Sequence, residues 1–132
     1  MASRSHQFML ALVARKMRTL GFEPIAYDGD PYSIGTTQLN LPPTIMNHRP
    51  DIVGINIANQ FCIGEVKTIN DLDSIRTKNQ LIDFSKDNEF IFCFPKKAQE
   101  KISRKLNNLG IMFKRNIHLL FVPDELIPYD EN

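Results

Sequence analysis

The stretch that decides the fold runs Pro50-Asp51-Ile52-Val53-Gly54-Ile55-Asn56-Ile57-Ala58-Asn59-Gln60-Phe61-Cys62-Ile63-Gly64-Glu65-Val66-Lys67-Thr68. It holds two strand-like runs, 51–57 and 61–67, separated by Ala58, Asn59 and Gln60, and it reads as a β-hairpin. Side chains alternate along a strand, so Glu65 and Lys67 share one face and Val66 takes the other. A loop of Ala58, Asn59 and Gln60 sets Ile57 opposite Phe61, and the register then continues to Asp51 opposite Lys67. Directly opposed residues hold their Cβ atoms about 5 Å apart. One face of the hairpin therefore reads Val53, Ile55, Ile57, Phe61 and Ile63, and ends in Asp51, Glu65 and Lys67. A slip of one residue would turn Asp51 to the other face, so the cluster depends on the register.

Working outward, Ser5 is positioned to cap a helix that begins at His6. Phe8, Met9, Leu12, Val13, Met17 and Leu20 recur at helical spacing, and Gly21 stops the run. Residues 22–27 read as a strand, with Pro24 favouring an edge. Residues 28–49 are rich in Gly, Pro, Asn and Thr and predict a long loop, with a short extra strand near 36–39. After the hairpin, Asp71 or Asp73 caps a helix running to about Lys86, with Leu72, Ile75, Leu81, Ile82 and Phe84 as its apolar contacts. Phe90 to Phe94 is a buried strand ended by Pro95. Residues 96–109 form a second amphipathic helix (Ile102, Leu106, Leu109) closed by Gly110, and 117–122 is a last strand. This order predicts one α/β domain over 1–132, a central mixed β-sheet flanked by helices on both faces. Its core spans about 6–122, and 123–132 forms a peripheral tail.

A chain of 132 residues that is 42% hydrophobic can bury an ordinary core without disulfides or a structural metal. Cys62 and Cys93 lie in apolar runs and suit small buried hydrophobes; no paired spacing suggests zinc. The formal net charge of +1 says little about partners. Locally, the stretch 96–115 is basic apart from Glu100, which suits either a solvated helix face or a phosphate contact. Arg15, Lys16 and Arg18 break the first apolar stretch, which argues against a signal peptide, and no run is long enough to span a bilayer. A cytoplasmic protein without membrane contact is the expectation.

Two carboxylates a few ångströms apart repel unless a cation sits between them. Mg²⁺ takes hard oxygen ligands and keeps waters that a phosphate can replace. A lysine beside it can orient the attacking water or neutralise developing charge. A bare Glu-x-Lys on a strand is also what an exposed ion pair looks like.

Pro50-Asp51, a strand, a turn and then Gly64-Glu65-Val66-Lys67-Thr68 resembles the signature of the PD-(D/E)xK nuclease superfamily. This is the restriction-endonuclease-like fold, which includes archaeal Holliday-junction resolvases. The order of elements over roughly 6–122 is similar as well. The resemblance implies that Asp51 and Glu65 ligate Mg²⁺, with Mn²⁺ as a substitute, helped by the backbone carbonyl of Val66. It implies that Lys67 positions the water. Many members carry a glutamine on the next helix, which Gln80 in Thr77-Lys78-Asn79-Gln80-Leu81 resembles. Some members add an acid from the first helix; this chain offers His6 and Gln7 there instead. His48, Arg49, Arg76 and Lys78 are candidate contacts to nucleic acid, or solvated charges. The expected protein is an endodeoxyribonuclease acting on DNA as a homodimer, without an organic cofactor and possessing Holliday-junction-resolvase-like selectivity. A restriction-like or transposon-end nuclease, an RNA substrate, and a non-catalytic nucleic-acid-binding module of the same fold are the alternatives.

Overall fold

The computed structural model describes residues 3–29, 39–71 and 74–129. Within them the hairpin expected at 50–68 is present as β2 (Ile52–Ile55) and β3 (Phe61–Val66). Its register differs from expectation. Ile55 pairs with Phe61 and Ile52 with Gly64, so the loop is Asn56 to Gln60 and Asp51 falls beside Glu65, not Lys67. Asn56 causes the early turn. Its Oδ1 accepts the N–H groups of Ala58 (3.0 Å) and Gln60 (2.9 Å), and Asn59 takes the left-handed conformation at φ 61°. The shift is two residues, so the parity of each side chain is kept. Ile57 drops out of the strand and is fully exposed.

Helix α1 (Arg4–Thr19) starts two residues before His6 because Ser3, not Ser5, caps it, accepting the His6 N–H at 3.2 Å. Ser5 is buried instead. Gly21, at φ +93°, ends the helix and turns the chain into β1 (Glu23–Tyr27). Helix α2 (Ile75–Phe84) is capped by Ser74, whose hydroxyl accepts the Thr77 N–H at 3.0 Å. This replaces the expected Asp71 or Asp73: Asp71 closes a short 3₁₀ turn, and Asp73 lies outside the described residues, as does Leu72. Ile75 is 78% exposed and is not a core contact. β4 (Glu89–Pro95), α3 (Gln99–Asn108, after a 3₁₀ turn Lys96–Ala98) and β5 (Ile117–Val122) follow. The expected strand near 36–39 lies outside the described residues except for Leu39, which packs on the α1 side without joining a strand. Among the described residues no helix is long and apolar enough to cross a membrane.

The sheet has the order β1-β2-β3-β4-β5. β1–β2 and β2–β3 are antiparallel; β3–β4 and β4–β5 are parallel, because α2 and α3 serve as crossovers. Strand alternation sorts the core into two layers. Ile52, Cys62, Val66, Ile91 and Cys93 meet Met9, Leu10, Val13 and Met17 of α1. Ile63, Phe90, Phe92 and Phe94 meet Leu81 and Phe84 of α2 and Ile102 and Leu106 of α3. Burial on both faces is why 90–94 is an unbroken apolar run. Burial also pushes the Cys62 and Cys93 thiols up to about 12, so both behave as hydrophobes. The tail is tied down in part: Asp124 accepts the Lys97 N–H at 3.1 Å, and Ile127 packs against the α1 core.

α1 seats closely on β3 because residue 64 is glycine. A Cβ there would lie inside the van der Waals radii of Val13 Cγ1 and Ile52 Cγ2. Both neighbours are β-branched and cannot swing away. Gly64→Ala is therefore expected to destabilise the fold by about 1–3 kcal/mol, read as a lower urea midpoint at unchanged slope.

Candidate active site

Three strands bring acids to one end of the sheet. The Asp28 N–H donates to the Asp51 carbonyl at 2.8 Å, which carries the β1–β2 pairing one residue past Tyr27–Ile52. The β2–β3 register, carried one residue past Ile52–Gly64, sets Asp51 beside Glu65. Asp28, Asp51 and Glu65 thus stand in a row across neighbouring strands. Asp51 is held from two sides: its Oδ2 accepts the Val66 N–H at 2.8 Å and lies 3.4 Å from His6 Nε2 in the first turn of α1. Glu65 adjoins it on the neighbouring strand β3. Lys67 follows the end of β3, where its N–H donates to the Cys93 carbonyl at 3.0 Å. Its Nζ lies 4.0 Å from Glu65 Oε1.

Electrostatics separate the two carboxyls. Burial, reinforced by the charge of Asp51, raises Glu65 well above the ordinary glutamate range, so it tends to hold a proton. Burial also acts to raise Asp51, but hydrogen bonds from His6, Glu65 and Val66 outweigh it and hold its carboxyl below the ordinary value. The bond to Asp51 raises His6 against the opposing effect of burial.

Among the described residues, the buried side-chain atoms without a hydrogen-bond partner are His6 Nδ1, Glu65 Oε2 and Gln80 Oε1. All three residues line the same cleft of about 750 Å³, which Asp28, Thr44, Asn47, Arg49, Asp51, Val66, Lys67, Ser74 and Arg76 complete. Glu65 and Gln80 are only 4% and 2% exposed. Unsatisfied polar atoms are uncommon in folded interiors, and the gathering of three in one cleft makes it the candidate site. A second cleft, of about 800 Å³, opens at the opposite end of the sheet and is lined mainly by amides and by Lys86, Asp87 and Glu89. It lines up no orphaned atoms, so its size does not make it the better site.

Of the residues expected at the site, His6, Arg49, Asp51, Glu65, Val66, Lys67, Arg76 and Gln80 come together in the cleft. Three do not. Gln7 sets its side-chain oxygen beside Gly29. His48 turns away: its Nε2 lies 3.0 Å from Asp83 Oδ2, and its ring packs edge-on against Phe84. Its role is to pin the loop before β2 to α2, which carries Asn47 and Arg49 to the cleft. Lys78 lines a different groove. His118 pairs with Glu89 at 3.2 Å, away from the cleft.

Asp28, Thr44, Asn47 and Ser74 were not expected. Asp28 carried the best signal, an acid directly after the first strand; Thr44, Asn47 and Ser74 are ordinary loop residues by sequence.

Comparison with protein-family models, with curated proteins and with solved structures finds no match to this chain. Fold and cleft themselves define the class: an α/β protein with a mixed five-stranded sheet and helices on both faces. Among the described residues no group of three or more His, Cys, Asp or Glu side chains is placed to hold a metal ion. The donor set is instead two adjoining carboxyls, one of them with an orphaned oxygen.

Proposed function

We propose that the chain is a divalent-metal-dependent nuclease of the restriction-endonuclease-like class that hydrolyses phosphodiester bonds in DNA. The observation that carries this reading is the convergence of orphaned Glu65 Oε2 and Gln80 Oε1 with Asp51 and Lys67 in one cleft that Arg49 and Arg76 also line. Asp51 and Glu65, with the Val66 carbonyl, would hold Mg²⁺ or Mn²⁺. When bound, the ion supplies Lewis acidity toward the phosphate and a more acidic water.

The chain's own residues do the rest. His6 and the Val66 N–H fix the Asp51 carboxylate in place. The orphaned Oε2 of Glu65 would gain a partner in a bound cation. Lys67 orients the water that attacks phosphorus and offsets the charge that develops there. Gln80 presents an unpartnered carbonyl oxygen that accepts a hydrogen bond from that water. Arg49 and Arg76 draw the phosphate into the cleft. Water adds to phosphorus and its proton passes to solvent, the bond to the leaving sugar oxygen breaks, and that oxygen takes up a proton from a solvent water.

The test is a panel of linear, nicked, flapped and four-way-junction DNA with Mg²⁺, Mn²⁺ or EDTA. Product that requires the metal is expected, and the most reactive shape identifies the substrate. Binding without cutting under every condition would make the chain a nucleic-acid-binding module. Cutting confined to RNA would replace the substrate.

A further inference from the structure

Helix α2 has two different polar flanks. Arg76 and Gln80, one turn apart, line the active cleft. Lys78 is two residues from Arg76, about 200° around the axis at 3.6 residues per turn. It lines a second groove of about 490 Å³. The far wall of that groove is α3, through Lys101, Arg104, Lys105, Asn108 and Leu109. The spacing 101, 104, 105, 108 sets these side chains on one face of the helix. The lining contains four cations and no acid. Lys78, Arg104 and Lys105 have no ion-pair partner among the described residues. Between groove and cleft, Ser74, Ile75, Arg76, Lys78 and Asn79 leave the start of α2 exposed as a ridge.

An α-helix with its side chains is about 10–12 Å across. The major groove of B-form DNA, about 12 Å wide, admits one helix with a phosphate backbone on each side. We infer that the groove between α2 and α3 holds the backbone of the second strand of a B-form DNA duplex whose first strand lies in the active cleft, with α2 seated in the major groove. The inference rests on the nuclease reading for the identity of the first strand. Charge complementarity selects the occupant: every charge lining the groove is positive, and across α2 from it Arg49 and Arg76 line the active cleft. The narrow, deep major groove of A-form RNA does not admit a helix, so an RNA duplex does not fit.

The test is fluorescence anisotropy in EDTA with labelled DNA duplex, RNA duplex and single-stranded DNA. The parent is compared with the Lys78→Ala/Arg104→Ala/Lys105→Ala variant, and thermal unfolding checks its fold. DNA-duplex affinity is expected to fall about tenfold or more, and the slope of log K against log salt to shrink by about 0.9 for each cation removed. Binding of single-stranded DNA and RNA duplex is expected to change less than about twofold, since neither engages the groove. Unchanged duplex affinity, or an equal loss on single strands, overturns the inference. Should the triple variant melt early, Arg104→Glu alone is read in the same way. A parent that cuts DNA while the variant binds duplex normally defeats the groove and leaves the nuclease reading intact. Duplex binding that depends on these cations in a parent that never cuts does the reverse.

Discussion

Replacing Lys67 by alanine is expected to lower the Mg²⁺-dependent cleavage rate at least about 10²-fold, the usual cost of losing one preorganised group that faces transition-state charge. Asp51→Ala should be at least as damaging, for a different reason. Its Oδ2 is the acceptor for the Val66 N–H and the neighbour of His6 Nε2, so its loss removes a proposed metal ligand and frees the elements that shape the site. Asp51→Asn retains an acceptor for Val66 and removes only the charge, which makes it the cleaner variant. A readout other than activity separates the two roles. A ligand that binds the folded state alone stabilises it by about 2.7 kcal/mol at a hundred times its dissociation constant. Mg²⁺ should therefore raise the melting temperature of the parent and of Lys67→Ala, but not of Asp51→Asn. Cleavage by either variant at the parent's rate would remove the trio from catalysis.

Glu65→Gln is expected to abolish cleavage and yet stabilise the metal-free protein. Glu65 is 4% exposed, its Oε2 has no partner, and the Asp51 carboxyl adjoins it. An ionised carboxylate there is costly, and the amide avoids the charge. The gain near pH 8 should be about 1–3 kcal/mol, on the scale of burying an uncompensated polar group. The sign follows from linkage. A carboxyl raised in the folded state binds its proton more tightly there than in the unfolded chain. Its contribution is full at low pH and is lost as pH rises from the ordinary glutamate value through the raised one. His6, also raised, acts in the same direction from the ordinary histidine value upward. Asp51 is lowered and acts oppositely, losing its contribution only as pH falls below the ordinary aspartate value. Metal-free parent should thus lose stability as pH rises above the ordinary glutamate range, and Glu65→Gln should flatten most of that slope. Equal slopes for the two proteins would show that Glu65 ionises freely.

The local patterns of the chain were legible because they rest on short-range physics. Alternation in 61–67 set Glu65 and Lys67 on one face, and the apolar run 90–94 announced a strand buried on both sides. Helical spacing found α1 and α3 to within a turn. Caps were harder, because several oxygen-bearing side chains compete for the same free N–H groups and tertiary packing chooses among them. Ser3 won over Ser5, which is buried, and Ser74 took the place assigned to Asp71 or Asp73.

By itself, then, the sequence determined the order of elements, the two-faced sheet and the shared side of Glu65 and Lys67, since alternation and periodicity need only neighbouring residues. Tertiary structure decided everything that depends on distance through space. The Asn56 side chain closed the hairpin two residues early and moved Asp51 from Lys67 to Glu65. Pairing with β2 carried Asp28 to the acidic row. The pull of Asp83 and Phe84 took His48 out of the cleft, and the sense of rotation of α2 sent Lys78 to a separate groove. The loss of partners at Glu65 Oε2 and Gln80 Oε1 arises only when the layers close over them, and no local pattern encodes it.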